Sequence, residues 1–347
     1  MKINEKYIKR CIQLAKNGLG TTYPNPLVGS VIVCDGKIIG EGWHKTAGEP
    51  HAEVNAINSV KDKSLLKKAT IYVSLEPCSH FGKTPPCCNL IIANKIPKVV
   101  IGTIDTNIKV AGNGIKKLIE AGIQVTIGIL EKDCYKLNKR FFTFHEKQRP
   151  YIILKWAESQ DGYIAPTEKI EKKPVWITNA HSRQIVHKWR SEEQAILVGT
   201  QTVIDDNPKL DVRDWTGNNP IRLVLDQHNR IPKQSQIFDN QVKTFLFSKI
   251  KSNDEKENTI FEIIDFEKDV PNQLIQSLYR HQIQSVIIEG GRHTLQTFIN
   301  ANLWDEARIF YGKVQINAGT KAPILESKQN EKFIIGTDKL IISRNHD

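Results

Sequence analysis

No stretch of the 347-residue chain is apolar for long enough to cross a bilayer. The longest strand-like runs, such as VVIGTI and LIIS, fall far short of the roughly 20 residues that a spanning helix needs. A signal-peptide pattern is missing too, since MKINEKYIKR reads as the start of an amphipathic helix. There is no internal repeat of fixed period and no low-complexity tract, which leaves two different domains, each with its own core, as the economical reading. No G-x-G-x-x-G follows a first strand; the nearest case, Gly112-Asn113-Gly114, lacks the third glycine. Cysteines number six. In the cytosol, where these absences place the protein, they are expected to be thiols or metal ligands rather than disulfides.

Charge is present in excess of one sign, but not evenly. Residues 1–147 carry 22 Lys+Arg against 12 Asp+Glu, a balance of +10, and the remainder carries 27 against 26, a balance of +1. The excess of the first part suits RNA, a small phosphorylated substrate or simply a solvated lysine-rich surface.

Periodicity divides the chain near 147–150. In the first part, Tyr7, Ile8, Cys11, Ile12 and Ala15 recur at helical spacing up to Gly18, and LVGSVIVCDGKIIGEG reads as a hairpin around Asp35-Gly36. A helix from Ala52, a strand TIYVSLE, a helix near 86–94, a strand KVVIGTID, a helix to Gly122 and a strand QVTIGIL follow. That alternation implies a layered α/β sandwich. KDCYKLNKRFFTFH reads as one helix ending before Pro150. A second α/β pattern has strands at YIILKWAES, AILVGT, IRLVLD, KTFLFS and SVIIEGG, helices near 180–190, 271–281 and 293–303, and an exposed loop over 248–258. Cys11, Cys34 and Cys134 fall in apolar patterns and are expected in the core.

Chemistry concentrates in His51-Ala52-Glu53, opening a helix, and Pro77-Cys78, after a strand. Both sit where helix dipoles favour thiolates. One histidine and two cysteines make three zinc ligands, and a catalytic site leaves the fourth position to water, whereas a structural site closes it with protein. Glu53 is placed to move a proton from that water to a leaving amine. H-x-E followed by P-C is the signature of zinc nucleobase deaminases, which usually closes as P-C-x-x-C. Here position 81 is Phe, and the next cysteines are Cys87 and Cys88.

The resulting P-C-x8-C segment, PCSHFGKTPPC, resembles the deaminase half of the bifunctional riboflavin-biosynthesis deaminase/reductase family. TTYPNPLVGSVIV, GEGWHKTAGEPHAE and D-T-N-x-x-V-A-G-N-G extend the likeness. The resemblance implies a cytidine-deaminase-like three-layer α/β/α sandwich over 1–147, zinc on His51, Cys78 and Cys87, and Glu53 as proton shuttle. It also implies Asn25, His44, His80, Lys83, Asp105 and Asn107 around a phosphorylated pyrimidine substrate. Asn suits a heterocycle edge, and Lys and His suit a phosphate. Cys88 is then a thiol packed behind the site. Read alone, Asn25 between two prolines also fits a turn, and His80 and Lys83 ordinary loop positions.

The likeness continues through Lys155 with Asp161-Gly162, WITNAHSRQIVHKWR, GTQTVIDDNPKLDVR and SVIIEGGRHTLQTFI. These resemble the family's dihydrofolate-reductase-like α/β domain, here 148–347, which uses NADPH. Lys155 and Asp206 are the implied catalytic pair. Trp176, Thr202, Asp206, Gly290, Gly291, Arg292, His293 and Thr294 are implied near the nucleotide, and Thr178, Arg190, Leu210, Arg213 and Glu289 near the substrate. Glycines between a strand and a helix let N–H groups approach a pyrophosphate, and arginines offer paired donors to a phosphate. Gly290-Gly291 also fits a plain turn, Arg190 a solvated helix face, and Asp206 a cap on the turn DDNP. Glu158, Gln160 and Gln227 depart from the family pattern. The family reading makes the chain a cytosolic enzyme for a small phosphorylated pyrimidine, with no nucleic acid or membrane as partner and with room for a homo-oligomer. A tRNA or free-base deaminase, or a silent zinc-stabilised nucleic-acid-binding protein, would leave the x8 spacing and the second half, or the acidic Glu53, without a purpose.

Overall fold

The computed structural model describes residues 3–79, 85–106, 112–167, 175–250, 257–326 and 330–345. The chain forms two compact units, Met1–Gln148 and Arg149–Asp347.

In the first unit, α1 (Ile3–Ala15) precedes a hairpin of β1 (Gly29–Cys34) and β2 (Lys37–Trp43). Asp35 and Gly36, at φ 48° and 73°, supply the two left-handed residues that a tight two-residue turn requires. Then come α2 (Ala52–Ser59), β3 (Thr70–Leu75), α3 (Cys87–Ala93), β4 (Lys98–Thr103), α4 (Asn113–Glu120), β5 (Gln124–Ile127), α5 (Glu131–Leu137) and α6 (Lys139–Lys147). The five-stranded sheet has the order β2-β1-β3-β4-β5, antiparallel at β1 and parallel from β3 to β5. Period-two alternation makes the layers. Ile32, Ile71, Val73, Val99 and Ile101 face α2, α3 and α4, while Val31, Val33, Tyr72 and Val100 face α1 and α5. This is the expected α/β/α sandwich. Cys11, Cys34 and Cys134 are buried in it.

One expectation fails here: KDCYKLNKRFFTFH is two helices, not one. The chain bends at Asn138 (φ −101°, ψ 21°). Its buried side chain accepts from Leu27 N at 2.7 Å and donates to Leu27 O at 2.9 Å. Pairing with a distant backbone replaces helix continuity at that residue.

The second unit contains β6 (Tyr151–Glu158), β7 (Tyr163–Pro166), α7 (Ala180–Glu192), β8 (Ala195–Gly199), α8 (Thr200–Asp206), β9 (Ile221–Leu225), β10 (Thr244–Ser248) and β11 (Thr259–Ile263). It continues with α9 (Val270–Arg280), β12 (Ser285–Ile288), α10 (Arg292–Asn300), β13 (Glu306–Tyr311), β14 (Gly319–Lys321), β15 (Asn330–Ile335) and β16 (Asp338–Arg344). Nine strands form one sheet in the order β11-β10-β9-β8-β12-β6-β13-β16-β15, parallel from β11 to β13 and antiparallel beyond, and β7 pairs with β14 apart from it. Ile152, Leu154, Leu197 and Ile288 pack under α9 and α10, and Tyr151, Ile153 and Ile287 under α7. Strands β7, β11 and β13 to β15 and helix α8 go beyond what periodicity assigned, while β16 contains the strand-like run LIIS. In β13 the alternation is masked, because Glu306 and Arg308 share a face and are buried as an ion pair at 2.6 Å. Of the predicted loop over 248–258, residues 251–256 lie outside the described residues.

Candidate active sites

Three segments of the first unit meet at the carboxyl end of β3. His51 is the N-cap residue of α2, Cys87 is the first residue of α3, and Cys78 lies just past β3. His51 Nδ1 is 3.6 Å from Cys78 Sγ and 3.4 Å from Cys87 Sγ, and all three donor atoms lie within 4.8 Å of one another. Typical Zn–S and Zn–N bonds in a tetrahedral site place such donors about 3.6 Å apart, so the set fits zinc. The electrostatics fit as well. Cys78 is held down at about 4 by the Cys87 thiol, against the effect of burial and with help from His51. Its thiolate also accepts the Cys87 backbone N–H at 3.3 Å. Cys87 is pushed up by the same sharing and by burial, and His51 is raised by its bond to Cys78. Among the described residues this is the group suited to a metal.

Glu53, two residues into the same helix, is 3% exposed. Burial, then the Cys78 thiolate, pushes its carboxyl up to about 7, an effect that a bound dication would oppose. Cys88 faces away from the donors. Its Sγ meets Pro77 O at 3.2 Å and Gly114 O at 3.5 Å, and burial pushes it up to about 12. Asn25 and His44 come together beside the metal ligands. Asn25 Nδ2 is 3.0 Å from His44 Nε2, His44 Nδ1 faces Pro50 O at 3.3 Å, and the His44 and His51 rings meet edge to face at 5.3 Å. Burial lowers the His44 pKa, and the neutral ring then accepts from Asn25 while its Nδ1–H donates to the carbonyl. Asp105 is buried past the end of β4. His80, Lys83 and Asn107 lie outside the described residues. Glu76 escaped the sequence reading, which took it as the end of a strand, yet it is a buried carboxylate bound by backbone N–H groups of Gly112, Gly114 and Ile115.

In the second unit, Arg190 from α7 donates through Nε and Nη2 to both oxygens of Glu289, at 3.2 and 2.8 Å, just past β12. Lys155 of β6 approaches the same carboxylate at 3.7 Å. Burial opposes ionisation of Glu289, but Arg190 and Lys155 outweigh it and hold the carboxyl down at about 2. Lys155 itself is lowered, chiefly by burial. Arg213 pairs with Asp211 at 2.8 Å, and its N–H donates to His187 Nδ1 at 3.3 Å. Leu210 is 2% exposed and packed in an apolar core, which leaves almost none of it open to a ligand. Thr178 O accepts from Arg183, whose guanidinium lies 4.5 Å over the exposed Trp176 ring.

A cavity of about 980 Å³ opens where β8 passes into α8 and the chain enters α10. Thr202, Gly291, His293 and Thr294 line it; Trp176, Asp206, Gly290 and Arg292 do not. Gly290 is nonetheless needed beside it, since a Cβ there would come within 2.7 Å of Thr294 Cβ. The volume matches a large organic cofactor, and Gly291 as N-cap of α10 leaves the helix's first N–H groups without a capping side chain. The site residues therefore fit a nicotinamide dinucleotide. The basic residues Arg230 and Lys268 in its lining were not foreseen, because exposed basic side chains in loops carry no local signal.

Comparison with known proteins finds a family match for each unit. The zinc-binding region of cytidine and deoxycytidylate deaminases matches residues 1–103, and the RibD C-terminal domain matches residues 150–330. The riboflavin biosynthesis protein RibD of Aquifex aeolicus is 39% identical over 314 residues, covering 89% of this chain and 86% of that protein. RibD of Escherichia coli is 37% identical over 329 residues, 88% and 87% of the two chains. Among solved structures, the diaminohydroxyphosphoribosylaminopyrimidine deaminase/5-amino-6-(5-phosphoribosylamino)uracil reductase of Thermotoga maritima superposes with a TM-score of 0.89 at 36% identity, covering 99% of this chain and 98% of that one. With relatives at this level of identity aligned through both units, the chain belongs to the RibD family of riboflavin-biosynthesis proteins.

Proposed function

We infer that the chain catalyses two successive steps of riboflavin biosynthesis. The first unit hydrolytically deaminates 2,5-diamino-6-(5-phosphoribosylamino)pyrimidin-4(3H)-one, and the second reduces the ribosyl side chain of the product to ribityl with NADPH. The observation that carries this reading is the convergence of His51, Cys78 and Cys87 on one metal-sized point with Glu53 buried beside it.

His51, Cys78 and Cys87 hold zinc, which when bound activates water for attack on the amine-bearing carbon. Water adds, the C–N bond breaks and ammonia leaves. Glu53, buried beside the metal ligands, takes the proton from the attacking water and gives it to the departing amine. Asn25, kept in place by His44, reads the heterocycle edge, and Asp105 flanks it; the assigned phosphate contacts of His80 and Lys83 and the role of Asn107 rest on the family pattern alone.

In the second unit the cavity beside Gly291 holds NADPH, which supplies a hydride to C1 of the opened ribosyl group. Lys155, lowered by burial and paired with Glu289, and Asp206 are the two groups that handle charge as the hydride is transferred. Arg190 and Arg213 bind the substrate's phosphate side. On the same family reading the enzyme works in the cytosol, and a homo-oligomer is compatible with it.

The test is one purified protein, the diaminopyrimidine phosphoriboside and NADPH, with ammonia release and oxidation of the reduced cofactor followed together. Glu53→Gln is expected to lower ammonia release by about a hundredfold or more while leaving reduction of the deaminated intermediate intact. Ammonia release that survives this change would sink the assignment of Glu53, and absence of ammonia from the unaltered enzyme would sink the deaminase reading.

A further inference from the structure

We propose that Glu76 is a positioning residue that clasps the substrate loop of the deaminase unit to the metal-bearing segment. Glu76 is 4% exposed, and among the described residues no lysine or arginine pairs with it. Among the described residues, backbone N–H groups meet both of its carboxylate oxygens. Oε1 accepts from Gly114 N at 2.9 Å and Ile115 N at 3.3 Å, and Oε2 from Gly112 N at 3.0 Å and, more weakly, Asp105 N at 3.4 Å.

These donors have a common origin. Gly112, the N-cap residue of α4, has φ 76° and no side chain with which to cap the helix, so the first N–H groups of α4 need an acceptor from elsewhere. A carboxylate is the acceptor that a helix N-terminus favours most, and Glu76 delivers it from the end of β3. Gly114 makes the approach possible. A Cβ there would collide with Pro77 O and come within 3.1 Å of Cys88 Sγ and 3.2 Å of Glu76 Oε1. Cys88 closes the other side through its contacts with Pro77 O and Gly114 O. The pattern G-N-G, which fits no dinucleotide motif, is thereby explained by one buried anion.

The consequence is a mechanical link. Glu76 stands two residues before the metal ligand Cys78, and its two oxygens bind both flanks of the segment between Asp105 and Gly112. The spacing between the metal point and the loop carrying Asp105 is set before substrate arrives. Asp105 is then held in place before binding, which is how a group that touches neither substrate nor metal affects affinity.

The inference rests on the first unit being a pyrimidine deaminase, and its test separates the two. In Glu76→Gln the amide keeps one acceptor oxygen and turns an NH2 toward backbone donors, so half of the clasp is lost. KM for deamination is expected to rise by about tenfold or more, with zinc per chain unchanged and kcat per bound zinc altered by less than about threefold. Reduction of the deaminated intermediate should not change. An unchanged KM, or a loss confined to kcat or to zinc content, overturns the proposal. Hydrogen exchange on the unaltered protein decides the matter even if the variant does not fold. The amides of Gly112, Gly114 and Ile115 are expected to be strongly protected, and exchange at the rate of an open loop overturns the clasp whether or not the enzyme releases ammonia.

Discussion

Replacing Glu289 by Gln keeps the shape of the reductase site but removes the anion that two cations share. The side chains of Arg190, Lys155 and Glu289 are 12%, 15% and 10% exposed, so water does little to screen them. The Glu289 carboxyl is held at about 2 against an ordinary value of 4.5. A gap of about 2.5 units, at about 1.4 kcal/mol per unit, is about 3 kcal/mol of stabilisation at neutral pH. That agrees with the roughly 3–5 kcal/mol lost when one partner of a buried ion pair is removed. Because the folded-state value lies below the unfolded one, the stabilisation is complete above about pH 4.5 and is lost as pH falls through about 2, with less than about half left at pH 3. Urea unfolding followed by tryptophan fluorescence measures it in the right unit. Trp156, Trp176, Trp189, Trp215 and Trp304 belong to the second unit and only Trp43 to the first. The expected result is a reductase unit weakened by about 3 kcal/mol, a fall of about 6–12 °C in melting temperature, with the difference from the parent shrinking toward pH 2. A difference below about 1 kcal/mol at pH 7, or one equally large at pH 3, would refute the assignment of charge in this cluster.

Two further outcomes are expected. Cys87→Ser should weaken zinc binding by more than about a hundredfold and abolish ammonia release while NADPH-linked reduction persists, whereas Cys88→Ser should keep its metal; metal analysis showing the reverse would exchange their roles. Asn138→Ala removes both bonds to Leu27 and leaves a buried N–H and C=O unsatisfied, so the deaminase unit should lose about 2–4 kcal/mol, checked by hydrogen exchange at Leu27; a loss below about 1 kcal/mol would show that the bend holds without them.

Much of the first unit was legible because local signals agreed. Alternating β1, β3 and β4 and the turn residues Asp35-Gly36 point to one fold, and H-x-E with P-C marks the places where strands give way to helices. The choice between Cys87 and Cys88 was not local. Successive helical residues point about 100° apart, so one faces His51 and its neighbour faces Gly114 only once α3 is packed. The bend at Asn138 was invisible for a related reason: buried Cys134, Leu137, Phe141 and Phe142 continue the apolar pattern across it, and its cause is a residue 111 positions away. Glu76 reads as the polar end of a strand until the backbone of α4 is laid against it. In the second unit, β15 is exposed along most of its length and β13 hides a buried ion pair, so neither displays the contrast on which periodicity depends.

The tie between Asn138 and Leu27 also bears on how the protein comes off the ribosome. The deaminase signature ends by residue 103, yet the segment beside Asn25, already tied to His44, lacks its two bonds from Leu27 until Asn138 has been synthesised. A nascent chain can thus display every metal ligand while its substrate-reading segment still lacks one of its ties. The first unit therefore completes its set of ties only when nearly all of its 148 residues have been made.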